Sequence, residues 1–505
     1  MSEKFLHGPE VVEIDSGPRP IQTVRSSIIG IVGTAPDSAP ATAATLTTGN
    51  ATFDTAITFT AVGAGLAGNN ISVALTNPGS ASASSSVSVT GTAIVVNLAT
   101  DATGALTSTA SDVVSAVNGS AEASALVTAA NADGSDGSGV VLELKRTLLT
   151  GGAAEPFPLN VPSLVAGSRA EAAALGTRGT LPQALEGIFD QAGAVVIVVR
   201  VEEGADEDAT MANVIGGVNA TTGQFEGLHA LAGAKSVVGF QPRILCTPGF
   251  SHQRPEGFAN PVVAEALGIA ERLRAVFIAD GPNTTDDAAQ EYAADWGSPR
   301  VYMVDPWVMV SIDGEIVSEP PSARVAGLIA KIDNDRGFWW SPSNNVINGI
   351  IGTARPVDFT LGDANSRANL LNERGIATVI NQDGYRLWGN RTLTDDTKWI
   401  FLSVRRTADI INDSILRAHL WAVDRNITKT YVEDVEEGVN DYIARLKALG
   451  AVLGGRCWAD PDLNTPSNIQ LGKVYFNFDF TPPYPAEHIT FRSLLVNDYI
   501  EEVFE

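Results

Sequence analysis

Cysteine is nearly missing from this sequence: Cys246 and Cys457 are the only two in 505 residues. That excludes a disulfide framework and any CxxC pair for zinc or redox work, and a reducing compartment is the natural expectation. Charge is sparse as well. Asp, Glu, Lys and Arg make up 18 % of the chain, below the usual ~25 %, and 58 acidic against 33 basic residues leave a net charge of −25. A field of that sign repels nucleic-acid phosphates and anionic headgroups, so no direct nucleic-acid or membrane binding is expected. No apolar run approaches the ~20 residues that span a bilayer, and Met1–Phe5 does not open a signal peptide. Gly (48) and Pro (26) are too few for collagen or a low-complexity linker. What remains is a multidomain globular chain, roughly three times a typical ~150-residue domain, with 44 % hydrophobic residues to build cores.

Large side chains are unevenly spread. Residues 41–155 hold only Phe53 and Phe59 as aromatics and only Lys145 and Arg146 as basic residues, and every Trp and Tyr lies at or beyond Tyr292. This stretch reads as an inserted, outer, small β-rich domain, with strands at Ile57–Val62, Asn70–Thr76, Val87–Leu98 and Val140–Leu144 and a helix at Ala110–Val117. From 157 to 320, continuous apolar runs (Ala194–Val201, Arg243–Cys246, Ala275–Ala279, Val301–Val310) alternate with helical segments at Pro261–Arg274 and Asp286–Trp296. Runs of that kind suit strands buried on both faces, so the pattern predicts βαβ units and a mostly parallel sheet, joined by Ser27–Val32 into a discontinuous α/β domain. Beyond 321 the signals are α+β. Ser322 is placed to cap a helix to Asp335, Trp399–Val404 reads as a strand and Ala408–Arg425 as a helix. A third helix carries Val432, Val435, Val439, Tyr442, Leu446 and Leu449 at 3,4,3,4,3 spacing and stops at Gly450, so one face is buried.

The two extremities share a design. Val11, Val12, Glu13 and Ile14 form a β-prone segment followed by Ser16-Gly17-Pro18-Arg19-Pro20. At the other end Phe476, Phe478 and Phe480 alternate strictly; Pro482-Pro483-Tyr484-Pro485 intervenes, and Ile489, Phe491 and Leu495 alternate before the acidic tail with Ile500 and Phe504. Proline-rich spacers are semi-rigid and extended, and a strand held off its own body seeks a sheet edge. The plainer reading folds both ends back on their own chain.

Chemical motifs are few. Gly63-Ala64-Gly65-Leu66-Ala67-Gly68 spells GxGxxG, but a strand pattern follows where a dinucleotide site needs a helix, so it is assigned to a hairpin loop. P-loop, HExxH and GxSxG signatures do not occur, and the five histidines lack metal-ligand spacing. The strongest enzymatic alternative is a metal-assisted α/β hydrolase using Asp280 and Asp305, at predicted strand ends, with His252 as base. Glu433, Asp434, Glu436 and Glu437 form the densest acidic cluster, read as the opening turns of a helix stabilised by its dipole, or as a docking patch.

Three stretches carry a resemblance. They are Pro9–Ile14 with Ser16–Ile21; Pro321–Gly327 leading to Arg336-Gly337-Phe338-Trp339-Trp340-Ser341-Pro342-Ser343-Asn344; and Leu370–Ala377 followed by Gly384-Tyr385-Arg386-Leu387-Trp388-Gly389-Asn390-Arg391-Thr392, with Pro485–Phe491 similar as well. In these the chain resembles contractile tail sheath proteins of phage tails and related injection machines. The resemblance implies a non-enzymatic structural subunit without cofactors. It implies stacked six-fold rings of identical copies around an inner tail tube protein, meeting baseplate and tail terminator proteins, in a virion tail assembled in the host cytoplasm. Terminal arms exchanged between copies would persist while the array contracts, with Val11, Val12, Glu13, Ile14, Ile489, Phe491, Leu495, Ile500 and Phe504 at the interface. Phe476, Phe478 and Phe480 would form the receiving sheet, and Glu433, Asp434, Glu436 and Glu437 are the tube-facing candidates. The expected partition is an arm at 1–20, an α/β middle domain of 21–40 with 156–340, the insertion 41–155, a C-terminal α+β inner domain 341–486, and a terminal strand and arm 487–505. A surface-array or adhesin component is the remaining alternative, favoured by the Ala/Ser/Thr-rich insertion.

Overall fold

The run Ile29–Thr34 is buried at all six positions, as a strand must be when helices cover both sheet faces. In the computed structural model, which describes residues 20–497 and Tyr499, it is the centre of a six-stranded sheet. The strands are β1 (Ile29–Thr34), β2 (Ser163–Ala166), β3 (Val195–Val201), β4 (Ile244–Cys246), β5 (Val276–Asp280) and β6 (Val301–Val304), in the order β6-β5-β4-β1-β3-β2. All neighbours are parallel except β2, which runs antiparallel to β3. Ile29 sits opposite both Val196 and Ile244. The expected run Val301–Val310 is two strands, 301–304 and 308–312, because Asp305-Pro306-Trp307 interrupts it and Pro306 has no N–H for the ladder.

Helices α1 (Pro261–Leu273) and α2 (Ser322–Asp335) pack on this sheet. Asn260 caps α1 by accepting from the Val263 N–H at 3.1 Å. On α2, a Cβ at Gly327 would lie 2.7 Å from the Ile188 carbonyl, so glycine is what lets α2 approach the helix Leu181–Phe189 closely. Ser322 is not the cap it was expected to be. It is the first helical residue, and its N–H and Oγ both donate, at 2.8 Å, to the carboxylate of Asp280 at the end of β5. A distant aspartate thus does the capping.

Two long helices follow, α3 (Leu402–Ala418) and α4 (Lys429–Ala448), and then a hairpin of β7 (Gly454–Ala459) and β8 (Phe476–Thr481). Trp399–Val404, expected as a strand, instead leads into α3, which ends at Ala418 with a short 3-10 turn rather than running to Arg425. The buried face of α3 is largely polar. Asp409 takes Arg300 at 2.7 and 3.1 Å, Arg406 takes Asp333 at 2.7 and 2.6 Å, and Asp413 pairs with Arg243. Arg243 and Arg300 stand just before β4 and β6, so the amino ends of those strands are tied to α3 by ion pairs. On α4, Val435, Val439, Tyr442 and Leu446 are buried as the spacing required, while Leu449 lies past the last turn and is exposed.

The second compact unit, Asp37–Pro158 with Ala174–Gly176, is built of a three-stranded sheet (Ala43–Thr48, Ile57–Ala64, Val127–Asn131) and a four-stranded one (Ser86–Thr90, Ala93–Asn97, Ser72–Thr76, Leu144–Leu148). The expected strand Val87–Leu98 is a hairpin turning at Gly91, and the last strand lies at Leu144–Leu148 instead of Val140–Leu144. The glycine motif at 63–68 joins strands of different sheets, so it is a crossing loop rather than a hairpin loop. Thr109 and Asp112 form a reciprocal capping box on the helix Ala110–Gly119. Phe59 is the one large ring in a core of aliphatic side chains.

Candidate subunit-joining site

β7 and β8 pair antiparallel with Cys457 opposite Phe478, and the Asp460 N–H donates to the Tyr475 carbonyl at 3.0 Å. In an antiparallel ladder bonded and non-bonded pairs alternate. Pairs 460/475, 458/477 and 456/479 are therefore bonded within the hairpin, and the backbone groups of Ala459, Cys457 and Gly455 point away from β8. On the partner strand Phe476, Phe478 and Phe480 point theirs away from β7.

The two outer edges differ. Along β7, the Asn440 side chain accepts from the Cys457 N–H at 2.7 Å and donates to the Cys457 carbonyl at 3.0 Å, and the Glu436 carboxylate accepts from the Ala459 N–H. Glu436 and Asn440 are one turn apart on α4, so the helix closes that edge. Along β8, no described residue pairs with the outward groups of Phe476, Phe478 and Phe480. The rings of Phe478 and Phe480 stack with centroids 6.2 Å apart and, with Phe476, pack on a core that includes Ile410, Val439, Tyr442 and Leu446. The strand is packed against a core while no described residue pairs with its outer backbone edge.

The first described residues reach this core. Ile21 is buried in it; the Ile21 carbonyl accepts from Arg445 at 2.7 Å and the Val24 N–H donates to Ser414 at 3.0 Å. Val11, Val12, Glu13, Ile14, Ile500 and Phe504 lie outside the described residues. After β8, Tyr484 meets Phe401 edge to face at 6.2 Å, and Arg391 donates to Glu487 at 2.7 Å. Residues 482–496 belong to no helix or strand, and residues 482–497 make no backbone hydrogen bond to another described residue. Ile489, Phe491, Leu494 and Leu495 are exposed, Phe491 to 91 %. Contiguous large apolar side chains left in water mark an interaction surface.

The acidic cluster divides. Glu433, Asp434 and Glu437 are exposed, with Glu433 3.6 Å from Lys429, whereas Glu436 is half-buried and spent on β7. The helix begins at Lys429 and its first turn carries no carboxylate, so the dipole argument for these four does not hold.

Asp280, Asp305 and His252 do gather at the carboxyl ends of β4 to β6, each held by groups other than the remaining two. Asp280 accepts from Ser322 and, at 3.0 Å, from Ser251; burial pushes it up to about 6 against the pull of those hydrogen bonds. Asp305 pairs with Arg355 and accepts from the Asn283 N–H at 2.9 Å; burial raises it and Arg355 opposes. The ring of His252 stands edge-on to Trp307 at 4.8 Å, and burial lowers its pKa. Among the described residues no three His, Cys, Asp or Glu side chains are grouped to hold a metal, and no helix is long and apolar enough to cross a membrane.

The comparisons with known proteins agree with one another. Residues 223–393 match the phage tail sheath protein central domain, residues 394–495 the phage tail sheath C-terminal domain, and residues 144–201 the tail sheath protein Gp18 domain III N-terminal region. The chain is 47 % identical to a prophage major tail sheath protein of Pseudomonas aeruginosa, over 71 % of this chain and 92 % of that protein. It is 34 % identical to the tail sheath protein of Escherichia phage P2, over 69 % of this chain and 88 % of that protein, and 30 % identical to that of Burkholderia phage BcepMu, over 99 % and 98 %. Among solved structures, a chain of the anti-feeding prophage baseplate in the contracted state matches with a TM-score of 0.55 at 20 % identity, covering 68 % of this chain and 91 % of that one. A chain of the sheath complex of an extracellular contractile injection system, also contracted, matches with a TM-score of 0.51 at 19 % identity, over 69 % and 89 %.

Proposed function

This chain belongs to the phage tail sheath family, and on that premise we propose that it is the repeating subunit of a contractile sheath whose copies are joined by exchanged terminal strands. The observation that carries the reading is an outer edge of β8 that no described residue pairs, in a chain whose segment 489–495 lies outside every strand with its apolar side chains exposed. Val11–Ile14 from one copy and Ile489–Leu495 from another add strands to the sheet at Phe476, Phe478 and Phe480, and Ile500 and Phe504 follow at the same subunit interface beyond the added strand. A five-residue strand gains several backbone hydrogen bonds at ~0.5–1.5 kcal/mol net each. Each copy both gives and receives, so modest joints act at high effective concentration and become a durable net.

Copies stack as six-fold rings around an inner tail tube protein, between baseplate and tail terminator proteins, in a virion tail assembled in the host cytoplasm. Residues 341–486 lie innermost in the array, with the α/β body of 21–40 and 156–340 outside them. Glu433, Asp434 and Glu437 face the tube, and Glu436 leaves that set because β7 occupies it. Contraction draws on body-to-body contacts that differ between two arrays, while the strand joints hold. No cofactor enters.

Deleting residues 1–15 is expected to leave folded, dispersed subunits that form no tubes in negative-stain micrographs. Normal tubes from that truncation would refute the strand assignment.

A further inference from the structure

We propose that the groove between the Arg336–Asn345 segment and the start of the C-terminal extension holds the acidic, aromatic residues 498–505 of a second copy. The inference rests on the strand-exchange reading and adds a second, separate contact to it. The groove has a volume of about 630 Å³ and is lined by Arg336, Trp340, Asn344, Arg386, Gly450 and Tyr484, among others. Trp340 is 48 % exposed, and the Arg336 guanidinium lies over its ring at 5.4 Å. Arg386 donates only to carbonyls, of Gln382 at 2.8 Å and Asn344 at 3.0 Å.

Among the described residues neither guanidinium meets a carboxylate, although Arg243, Arg300, Arg324, Arg355 and Arg406 all do. In a chain of net charge −25, two arginines facing one groove without an acidic partner point to a ligand that brings the carboxylates. Arginine takes carboxylates in short, charge-assisted pairs, and the Trp340 face suits an aromatic or apolar side chain between them.

The chain contains such a ligand. Residues 498–505 read Asp-Tyr-Ile-Glu-Glu-Val-Phe-Glu: four carboxylates, two aromatic rings and no cation. A groove of this volume takes one ring with its flanking carboxylates, the usual scale of a recognition pocket. Position selects the copy. The chain leaves its own groove at Pro483–Ala486, and residues 489–495 are committed to a neighbour's β8. Residue 498 then arrives three residues beyond that joint, on the neighbour whose groove takes in Gly450 of the loop that joins α4 to β7 in the same receiving structure.

The test uses full-length protein assembled into tubes. One preparation carries Ser341→Cys and a second Val503→Cys; Cys246 and Cys457 are buried and stay out of the reaction. Oxidation of mixed tubes is expected to give cross-linked dimers that dispersed subunits do not give. Arg336→Glu with Arg386→Glu is expected to raise the subunit concentration needed for tubes roughly tenfold. Glu501→Gln, Glu502→Gln and Glu505→Gln, on residues outside the folded body, should reproduce the effect without touching the groove. Intrachain closure without dimers when both cysteines are in one chain would overturn the proposal, as would absence of cross-links together with wild-type assembly of both charge variants. Truncation separates this from the exchange reading: removal of 498–505 weakens assembly, whereas removal of 487–505 abolishes it. Normal tubes after the longer deletion would defeat strand exchange itself.

Discussion

In the parallel sheet, the outer side of β6 is closed by the protein's own chain: the Ala377 N–H donates to the Met303 carbonyl at 2.9 Å and the Leu393 N–H to Val301 at 3.0 Å. In the hairpin, β7 is closed by Asn440 and Glu436 while the outer side of β8 meets no described residue. The charges follow the same division. Arg243, Arg300, Asp409 and Asp413 are buried and matched with one another, whereas the extension after β8 leaves Phe491 and Leu495 in water. The difference teaches where the molecule ends as a body. The body satisfies its own polar groups, whereas the hairpin and the extension leave an edge, exposed apolar side chains and two arginines without a carboxylate or strand partner among the described residues, the features on which the proposed joints rest.

The body side of the comparison breaks most severely at α3. Asp409→Ala strips both hydrogen bonds to Arg300 and the Arg405 pair and leaves Arg300 with only the exposed Glu271 as a carboxylate partner; loss of one member of a buried pair costs up to about 3–5 kcal/mol. Denaturant unfolding of dispersed subunits should show a loss of that size, while a surface pair such as Lys429 with Glu433, 3.6 Å apart, should contribute under about 1 kcal/mol.

Asp280 sharpens it through pH. Its folded pKa of about 6 lies above the ordinary 3.8, so its contribution to stability is fully present below 3.8 and is lost as pH rises through about 6, roughly 3 kcal/mol in all. Asp280→Asn removes that dependence. Relative to the parent, the variant should gain stability from about pH 4 to pH 6 and then level off in chemical denaturation, and an unchanging difference would count against a buried carboxylate held only by neutral donors.

Asn440→Ala strips two hydrogen bonds from Cys457 and is expected to cost about 1–3 kcal/mol, with faster amide exchange along β7 as the local readout. The smallest effect belongs to the second unit. Removing residues 41–155 should leave tube formation unchanged, since 92 % of the Pseudomonas relative is matched by only 71 % of this chain. Failure to fold or polymerise would make that unit integral.

Much of the sheet was legible because strands buried on both faces need unbroken apolar runs, as in Val195–Val201 and Val276–Asp280. The face of α4 was legible because hydrocarbon alone covers it. Helix α3 was misread because Arg406, Asp409 and Asp413 replace apolar residues on its buried face; ion pairs erase the helical period that the eye seeks, and Trp399–Val404 then passes for a strand. Ser322 was misread as a cap because the true capping group, Asp280, comes from 42 residues earlier. At the joining site the alternation of Phe476, Phe478 and Phe480 was visible. The edge asymmetry was not, since the partners of Glu436 and Asn440 are backbone groups of another element, which carry no side-chain signal.

Amide hydrogen exchange at the hairpin, compared between dispersed subunits and assembled tubes, tests the central claim most directly. The account predicts that the amides of Cys457 and Ala459 are protected in both states, while those of Phe476, Phe478 and Phe480 exchange freely in dispersed subunits and become protected in tubes. Phenylalanine amides that are already slow before assembly, or still fast after it, would contradict it.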